Sequence, residues 1–170
     1  MTVLGDLSSS AVVRAQDEHH CIATWRNVYI VIWRHETQLP AVKSLATHLA
    51  QFAEVPAKGC ALLTIIEAGA PMPSADARSE LARFMTGAAA RLKSSAVAFE
   101  GAGFRAAAVR GVVTGLTMLA RQPYPHKIFS TVPEAAQWLA TSMPLTAQAP
   151  VDSTTLIAAV DGLRAQLPNR

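Results

Sequence analysis

Val28-Tyr29-Ile30-Val31-Ile32-Trp33 is a run of six β-branched and aromatic residues without a polar position. A strand with one solvated face would alternate apolar and polar side chains, so this run predicts a strand that is covered on both faces. Residues 21–25 form a similar run, and only Arg26-Asn27 separates the two. Two residues suit a tight turn, so the sequence predicts an antiparallel hairpin here.

Helical and strand-like segments alternate along the rest of the chain. The segments predicted from apolar spacing are a helix at 39–53, strands at 61–66, 96–99 and 128–129, and helices from residues 74, 104 and 131. This order predicts an α/β fold, with a mostly parallel five-stranded sheet that is opened by the antiparallel hairpin and covered by helices.

The chain is expected to form one domain with two flanking segments. Residues 1–16 mix Ser, Ala and Val without a period and are interpreted as a flexible N-terminal arm. The α/β domain is expected at residues 17–143, followed by a linker at 144–151 and an extra amphipathic helix at 152–168. A chain of 170 residues is large enough to bury a full core.

One apolar stripe runs along that C-terminal helix. Its side chains are Leu156, Ile157, Val160, Leu163 and Leu167. An isolated helix of about 15 residues is marginal in water, so the stripe must pack against something. It could fold back onto its own domain or meet a second copy in a symmetric homodimer. Because four other helices are predicted to cover the sheet, the homodimer interface is the favoured interpretation.

The composition argues against disorder and against a nucleic-acid partner. Hydrophobic residues make up 51% of the chain and charged residues 16%, the opposite of a disordered sequence. Fifteen Lys and Arg against twelve Asp and Glu give a net charge of +3, which is a mild excess. Only residues 101–132 carry basic side chains without Asp or Glu, and this segment is interpreted as a solvated basic face. No nucleic-acid binding is expected.

The sequence predicts a cytoplasmic protein without a membrane span. The first residues lack the basic start and the apolar core of a secretory signal. The longest apolar run, residues 106–120, contains Arg110 and is shorter than the ~20 residues that a membrane helix needs.

Cysteine and histidine do not form a recognisable metal motif. Cys21 and Cys60 lie in strand-like runs and are expected to be buried thiols. His19-His20-Cys21 contains zinc-binding residue types, but a structural zinc site takes four protein ligands and the other histidines are scattered singly. No metal and no cofactor are expected.

Residues 127–139, KIFSTVPEAAQWL, combine a short strand, a T-x-x-E helix cap and a Glu-Ala-x-x-Trp-Leu helix. Together with the order of elements, this segment resembles the STAS-like superfamily of sulfate transporters and anti-sigma-factor antagonists. It is most similar to the bacterial branch that is grouped with lipid-binding SEC14-type domains. The resemblance covers about residues 20–140 in topology, and it implies a STAS-like fold and a regulatory domain that binds a protein partner.

Ser74 marks the place where the chain departs from that family. Phosphorylated antagonists of the family carry an Asp-Ser-x-Gly motif at the start of the second helix. Here residues 67–76 read EAGAPMPSAD, and Ser74 has a comparable position without the surrounding pattern. Ser74 is interpreted as an ordinary N-cap, and a regulatory serine is the alternative.

Gly101, Gly103 and Arg105 form a weak candidate site for an anion or another ligand. They follow a predicted strand and open a helix, where backbone N–H groups and the helix dipole favour negative charge. Arg105 could add a bidentate contact. Gly111 and Gly115 lie within the same helix, where glycine is unfavourable, so they predict close packing on the sheet, with a small ligand cavity or a crossing helix as the alternatives.

No catalytic motif, such as G-x-S-x-G, is present in the sequence. The function predicted first is therefore a non-enzymatic regulatory or protein-interaction domain. The first alternative is a binder or carrier of a small amphipathic or anionic, lipid-like ligand, with its head near Arg105 and its tail against the third helix. The second alternative is a hydrolase with an unrecognised Cys or Ser nucleophile.

Overall fold

The computed structural model describes residues 10–53, 59–120, 122–143 and 151–168, and only the backbone of residues 53, 104–105, 116–117 and 119–120. The elements in these residues are β1 (Val12–Gln16), β2 (His20–Trp25), β3 (Val28–Trp33), α1 (Leu39–Ala53), β4 (Cys60–Ile66), α2 (Ala75–Gly87), β5 (Leu92–Phe99), α3 (Gly103–Ala120), β6 (His126–Phe129), α4 (Val132–Ser142) and α5 (Ser153–Gln166). Within the described residues, no helix is long and apolar enough to cross a bilayer.

All six described strands belong to one sheet, in chain order from β1 to β6. The pairs β1–β2 and β2–β3 are antiparallel, and the three pairs from β3 to β6 are parallel. Arg26 in the β2–β3 turn has a φ of 47°, the left-handed conformation that tight hairpin turns use. The α/β class and the antiparallel hairpin are confirmed.

The predicted number of five strands is wrong, because the sheet has an additional edge strand. β1 pairs with β2 from Val12 opposite Thr24 to Gln16 opposite Cys21. It lies within the segment interpreted as a flexible arm, so that prediction is wrong for Val12–Gln16, whereas residues 1–9 lie outside the described part. Side chains of β1 alternate between exposed and half-buried, so this edge strand lacks the apolar run that marks the interior strands.

The two faces of the sheet are covered by different helices. Every residue of β3 is buried, as predicted. One face packs against α1 and α2, with α3 over its far end, and the other face packs against α4 and α5. Right-handed crossovers between strands that follow in order place their helices on one face, which explains the grouping of α1, α2 and α3.

The C-terminal helix packs onto its own domain, so the interpretation of its stripe as a dimer interface is wrong. Four side chains of that stripe, Leu156, Val160, Leu163 and Leu167, are at most 5% exposed in the core between α4, α5 and the sheet. Ile157 is half-buried beside them. Three of the four helices expected to cover the sheet share one face, so α4 alone has to cover the other, and α5 fills the remaining area. The predicted linker, apart from buried Val151, lies outside the described residues.

Charged side chains fix α5 at the carboxyl ends of the parallel strands. Arg34, Glu67 and Glu100 each follow directly after a strand, β3, β4 and β5 respectively. A guanidinium nitrogen of Arg164 in α5 donates to Glu100 at 2.6 Å, and its Nε lies 3.6 Å from Glu67. Arg34 lies 3.4 Å from Glu67 and donates to the Pro168 carbonyl at 2.8 Å. Arg34 and Glu67 are 7% and 3% exposed, so each needs the opposite charge of the other.

Candidate functional site

A cavity lies between the sheet and the layer of helices α1, α2 and α3. Its floor consists of side chains from four strands: Val31, Trp33, Leu62, Thr64, Ile66, Ser95, Val97 and His126. Its roof consists of helical side chains: Leu45, Leu81, Phe84, Met85, Val109, Val112 and Val113. About 90 Å³ is open to the centre of a water molecule, and the free space between the walls, including the mouth, is about 850 Å³.

The mouth of the cavity lies beside the loop between β4 and α2. Pro71, Met72 and Pro73 line the cavity there, and Met72 is 43% exposed. Methionine adapts well to ligands of irregular shape, because its side chain is unbranched and flexible. The cavity therefore has a flexible apolar residue at its opening.

The side chains at the centre of the cavity floor are not fully covered by the helices above them. Thr64 on β4 lies between Val31 on β3 and Val97 on β5 in the parallel register. Both Thr64 and Ile66 are half-buried, although their strand has neighbours on both sides and helices above it. Side chains in that position are normally covered completely. Their partial exposure means that the helices leave the space above β4 unfilled.

Ser95 and His126 form a neutral polar pair at one side of the floor. The Ser95 hydroxyl lies 3.1 Å from the His126 Nδ1 atom, and Ser95 is 1% exposed. Burial lowers the pKa of His126 from 6.5 to about 4, so the imidazole is uncharged at pH 7. Its Nε2 atom is sealed from solvent without a hydrogen-bond partner. The pair therefore adds hydrogen-bonding atoms to this wall but no charge.

The cavity walls carry no Asp, Glu, Lys or Arg among the described residues. The polar side chains that line it are Thr37, Thr64, Ser95 and His126. Such a surface binds apolar molecules with few polar groups, and it gives no counter-charge to an ion.

The Ser95–His126 pair has one feature of a nucleophile and its base, but it lacks the others. An activated serine needs a base that a third group orients, and an oxyanion needs free backbone donors. In the described residues no carboxylate contacts His126, and the Ser95 N–H donates to the Pro125 carbonyl. A histidine with a pKa of about 4 is also a weak general base at neutral pH.

Both cysteines are buried thiols, as predicted. Cys21 and Cys60 are completely inaccessible to solvent. Burial raises the pKa of Cys21 to about 11 and that of Cys60 to about 12. Both are therefore protonated at pH 7, whereas a nucleophilic cysteine reacts as the thiolate.

The predicted anion site lies at the junction of β5 and α3, outside the walls of the cavity. Gly103 has a φ of +74°, and a Cβ atom on Gly101 would come within 2.5 Å of the Phe99 ring. The turn itself therefore explains both glycines. The side chain of Arg105 is outside the described residues, so an anion site with Arg105 stays a prediction.

The predicted close packing at Gly111 and Gly115 is wrong. A Cβ atom on either glycine would have no described heavy atom within 4 Å, so neither glycine is needed for contact with the sheet or with another helix. Neither of them lines the cavity. The cavity lies against another side of α3, formed by Val109, Val112 and Val113. Among the side chains that the structure describes, none explains why glycine occupies these two positions.

Ser74 caps α2, as predicted. Its hydroxyl accepts a hydrogen bond from the Ala77 N–H at 3.2 Å, and the serine is exposed. A regulatory role for this serine stays a prediction.

Replacing Ser74 with alanine should lower the free energy of unfolding by about 0.5 to 2 kcal/mol, because the Ala77 N–H loses its acceptor. Replacement with aspartate should leave stability nearly unchanged, because a carboxylate is an equally good cap at a helix N-terminus. Urea denaturation of both variants provides the measurement. Equal losses in the two variants would contradict the capping role.

The histidines at the start of β2 make local contacts. His20 Nδ1 lies 2.8 Å from the Asp17 carboxylate, and His19 Nε2 lies 3.4 Å from Glu18. Cys21 points into the core beneath α4 and α5. Across the described segments, no three His, Cys, Asp or Glu side chains are grouped so that they could hold a metal ion.

The buried imidazole of His126 should make stability depend on pH. Its pKa is lowered from 6.5 to about 4, so the unfolded chain binds the proton more tightly and acid favours unfolding. We expect this contribution to be complete above pH 6.5 and to fall by about 2 to 3 kcal/mol as the pH decreases to 4.

Urea denaturation between pH 7 and pH 4 tests this, with His126→Asn as the control that cannot titrate. The variant should lose less stability than the wild type over this interval. Parallel pH profiles of the two proteins would show that His126 is not held neutral by burial.

Comparison with known proteins adds no family. No model of a known protein family matches this sequence, and no curated protein matches it either. The resemblance to STAS-like domains therefore stays a prediction from residues 127–139 and the order of elements.

Proposed function

We propose that this protein binds a small, largely apolar ligand in the cavity beneath α1, α2 and α3, as a carrier or a sensor. The observation that supports the proposal is the unfilled, uncharged space above β4, with its mouth at Met72. Apolar cavities on the order of 100 Å³ stay dry and take up benzene-sized molecules. A ligand here would gain the free energy of removing apolar surface from water.

The same space is difficult to explain as ordinary packing. Natural cores are filled nearly as densely as organic crystals, and an unfilled apolar cavity costs about 24 cal/mol per Å³. For an enclosed cavity of about 90 Å³ this cost is on the order of 2 kcal/mol, which is an upper limit here because the cavity opens at Met72. A bound apolar molecule would offset that cost, because it restores the missing contacts.

The other functions predicted from the sequence have less support from the geometry. A protein partner and a cytoplasmic location stay predictions. The two functions are compatible, because a sensor can bind a protein partner differently with and without its ligand. Among the described residues, the serine in hydrogen-bond contact with a histidine is Ser95, and that histidine, His126, lacks an orienting carboxylate.

Toluene is the simplest probe for this cavity, and methyl NMR reports its binding directly. Titration should shift the methyl signals of Val31 and Val97 saturably, with a dissociation constant of about 1 mM or tighter. Val112→Phe fills the roof of the cavity and should weaken toluene binding at least tenfold. Ala107→Phe adds the same ring at an exposed position of α3 and should leave binding unchanged.

Three results would overturn the proposal. The first is the absence of saturable shifts at Val31 and Val97 up to the solubility limit of toluene. The second is equal binding by the wild type and Val112→Phe. The third is an equal loss in both phenylalanine variants, which would place toluene on the outer surface of α3.

A further inference from the structure

We propose that the ligand carries one uncharged hydrogen-bonding group, such as an alcohol or carbonyl oxygen, which bonds to the hydroxyl of Thr64 on the cavity floor. This inference rests on the proposed function, since it specifies the chemistry of the molecule in that same cavity. It commits to an uncharged polar group, and an anionic head group is the alternative that the experiment distinguishes.

Thr64 is the polar group at the centre of the floor. It is half-buried and lines the cavity, with the apolar side chains of Val31 and Val97 beside it in the register. No hydrogen bond of the Thr64 hydroxyl is found in the described structure. Ser95 differs, because its hydroxyl is already within hydrogen-bond distance of His126. Thr64 therefore offers a free donor and a free acceptor to a molecule in the cavity.

The Thr64 hydroxyl is not sealed from solvent in the empty cavity, so it needs a new partner only when a ligand covers it. Valine has the same shape as threonine and would complete the row of Val31 and Val97 as an apolar surface. A polar group that is removed from water without a partner costs about 1 to 3 kcal/mol in proteins. A purely apolar ligand above Thr64 would incur that cost, because it displaces water from the hydroxyl, and a ligand oxygen would avoid it.

The surroundings of Thr64 favour an uncharged group over an ion. The described walls contain no Asp, Glu, Lys or Arg, and the histidine among them, His126, is neutral at pH 7. An ion without a counter-charge in an apolar site loses far more solvation than one hydroxyl can replace. A carboxylate, a phosphate or an ammonium group would therefore be rejected from the floor, whereas an alcohol, a ketone or an ester would be accepted.

Three probes of nearly equal shape separate these possibilities: toluene, benzyl alcohol and benzoate at pH 8. We expect Thr64→Val to weaken the binding of benzyl alcohol by about 3-fold to 10-fold, the effect of one neutral hydrogen bond. Toluene should bind to the variant at least as tightly as to the wild type, because the variant has no hydroxyl to strip of water. Thr64→Ser retains the hydroxyl and should preserve the preference. Benzoate should bind to the wild type at least 10-fold more weakly than benzyl alcohol.

The outcomes separate this inference from the proposed function. If toluene does not bind to the wild type, the cavity is not a ligand site and both fail. If toluene binds, but Thr64→Val changes toluene and benzyl alcohol equally or changes neither, only the role of Thr64 fails. Benzoate binding as tight as that of benzyl alcohol would show that the charged group stays outside the floor, and would overturn the inference. Methyl shifts of Val31 and Val97 are the readout throughout.

Discussion

Replacing Glu67 with glutamine should lower the free energy of unfolding by about 3 to 5 kcal/mol. Glutamine preserves the shape of the side chain but removes the charge beside Arg34, which is 7% exposed. A buried charge that loses its partner keeps the full cost of desolvation. The loss should also weaken the attachment of α5, because Arg164 lies 3.6 Å from the same carboxylate.

Removing both charges provides the control for this prediction. The double variant Arg34→Met, Glu67→Leu leaves no unpaired charge between β3 and β4, so it should be more stable than Glu67→Gln. Urea denaturation followed by circular dichroism measures all three proteins. Two results would contradict a buried ion pair. One is a free energy of unfolding of Glu67→Gln within about 1 kcal/mol of the wild-type value. The other is a double variant that is no more stable than Glu67→Gln.

Replacing Leu156 with alanine should cost about 2 to 5 kcal/mol of stability, because this side chain is completely buried between α5, α4 and the sheet. Thr154→Ala changes an exposed residue of the same helix and should stay within about 0.5 kcal/mol. Denaturation gives the stabilities, and light scattering gives the molecular mass.

The two readouts separate a core helix from an interface helix. In the structure the apolar stripe of α5 is internal, so the mass of Leu156→Ala should equal that of the wild type. A variant that keeps its stability but changes from a dimer to a monomer would instead restore the interpretation of this stripe as a dimer interface.

The interior of the sheet could be predicted from the sequence because its signal is local. The runs around Val28–Trp33 and Cys60–Ile66 lack the alternation of a solvated strand, and this alone places them between two helical layers. β1 has no such run, because it is an edge strand whose side chains are exposed or half-buried. Its sequence therefore resembles that of a loop. The position of α5 depends on how many helices share each face, which no local pattern contains.

The cavity could be predicted only in part, because its polar residues are distant in sequence and become neighbours only when the strands pair. Ser95 and His126 are separated by 31 positions, and parallel pairing of β5 with β6 makes them neighbours. Thr64 did leave a signal, since it is the one polar residue in the apolar run 61–66. The prediction from the glycines of α3 was wrong, because glycine in a helix has the same sequence signal whether or not another element packs against it.

Native mass spectrometry of protein purified rapidly from the cells that produce it tests the ligand site most directly. The wild-type spectrum should contain, besides the mass of the chain, a reproducible additional mass that organic solvent releases as an uncharged small molecule. Val112→Phe, prepared in parallel, should lack that mass, and Ala107→Phe should retain it. A wild-type spectrum that shows the bare chain alone, indistinguishable from that of Val112→Phe, would contradict the account.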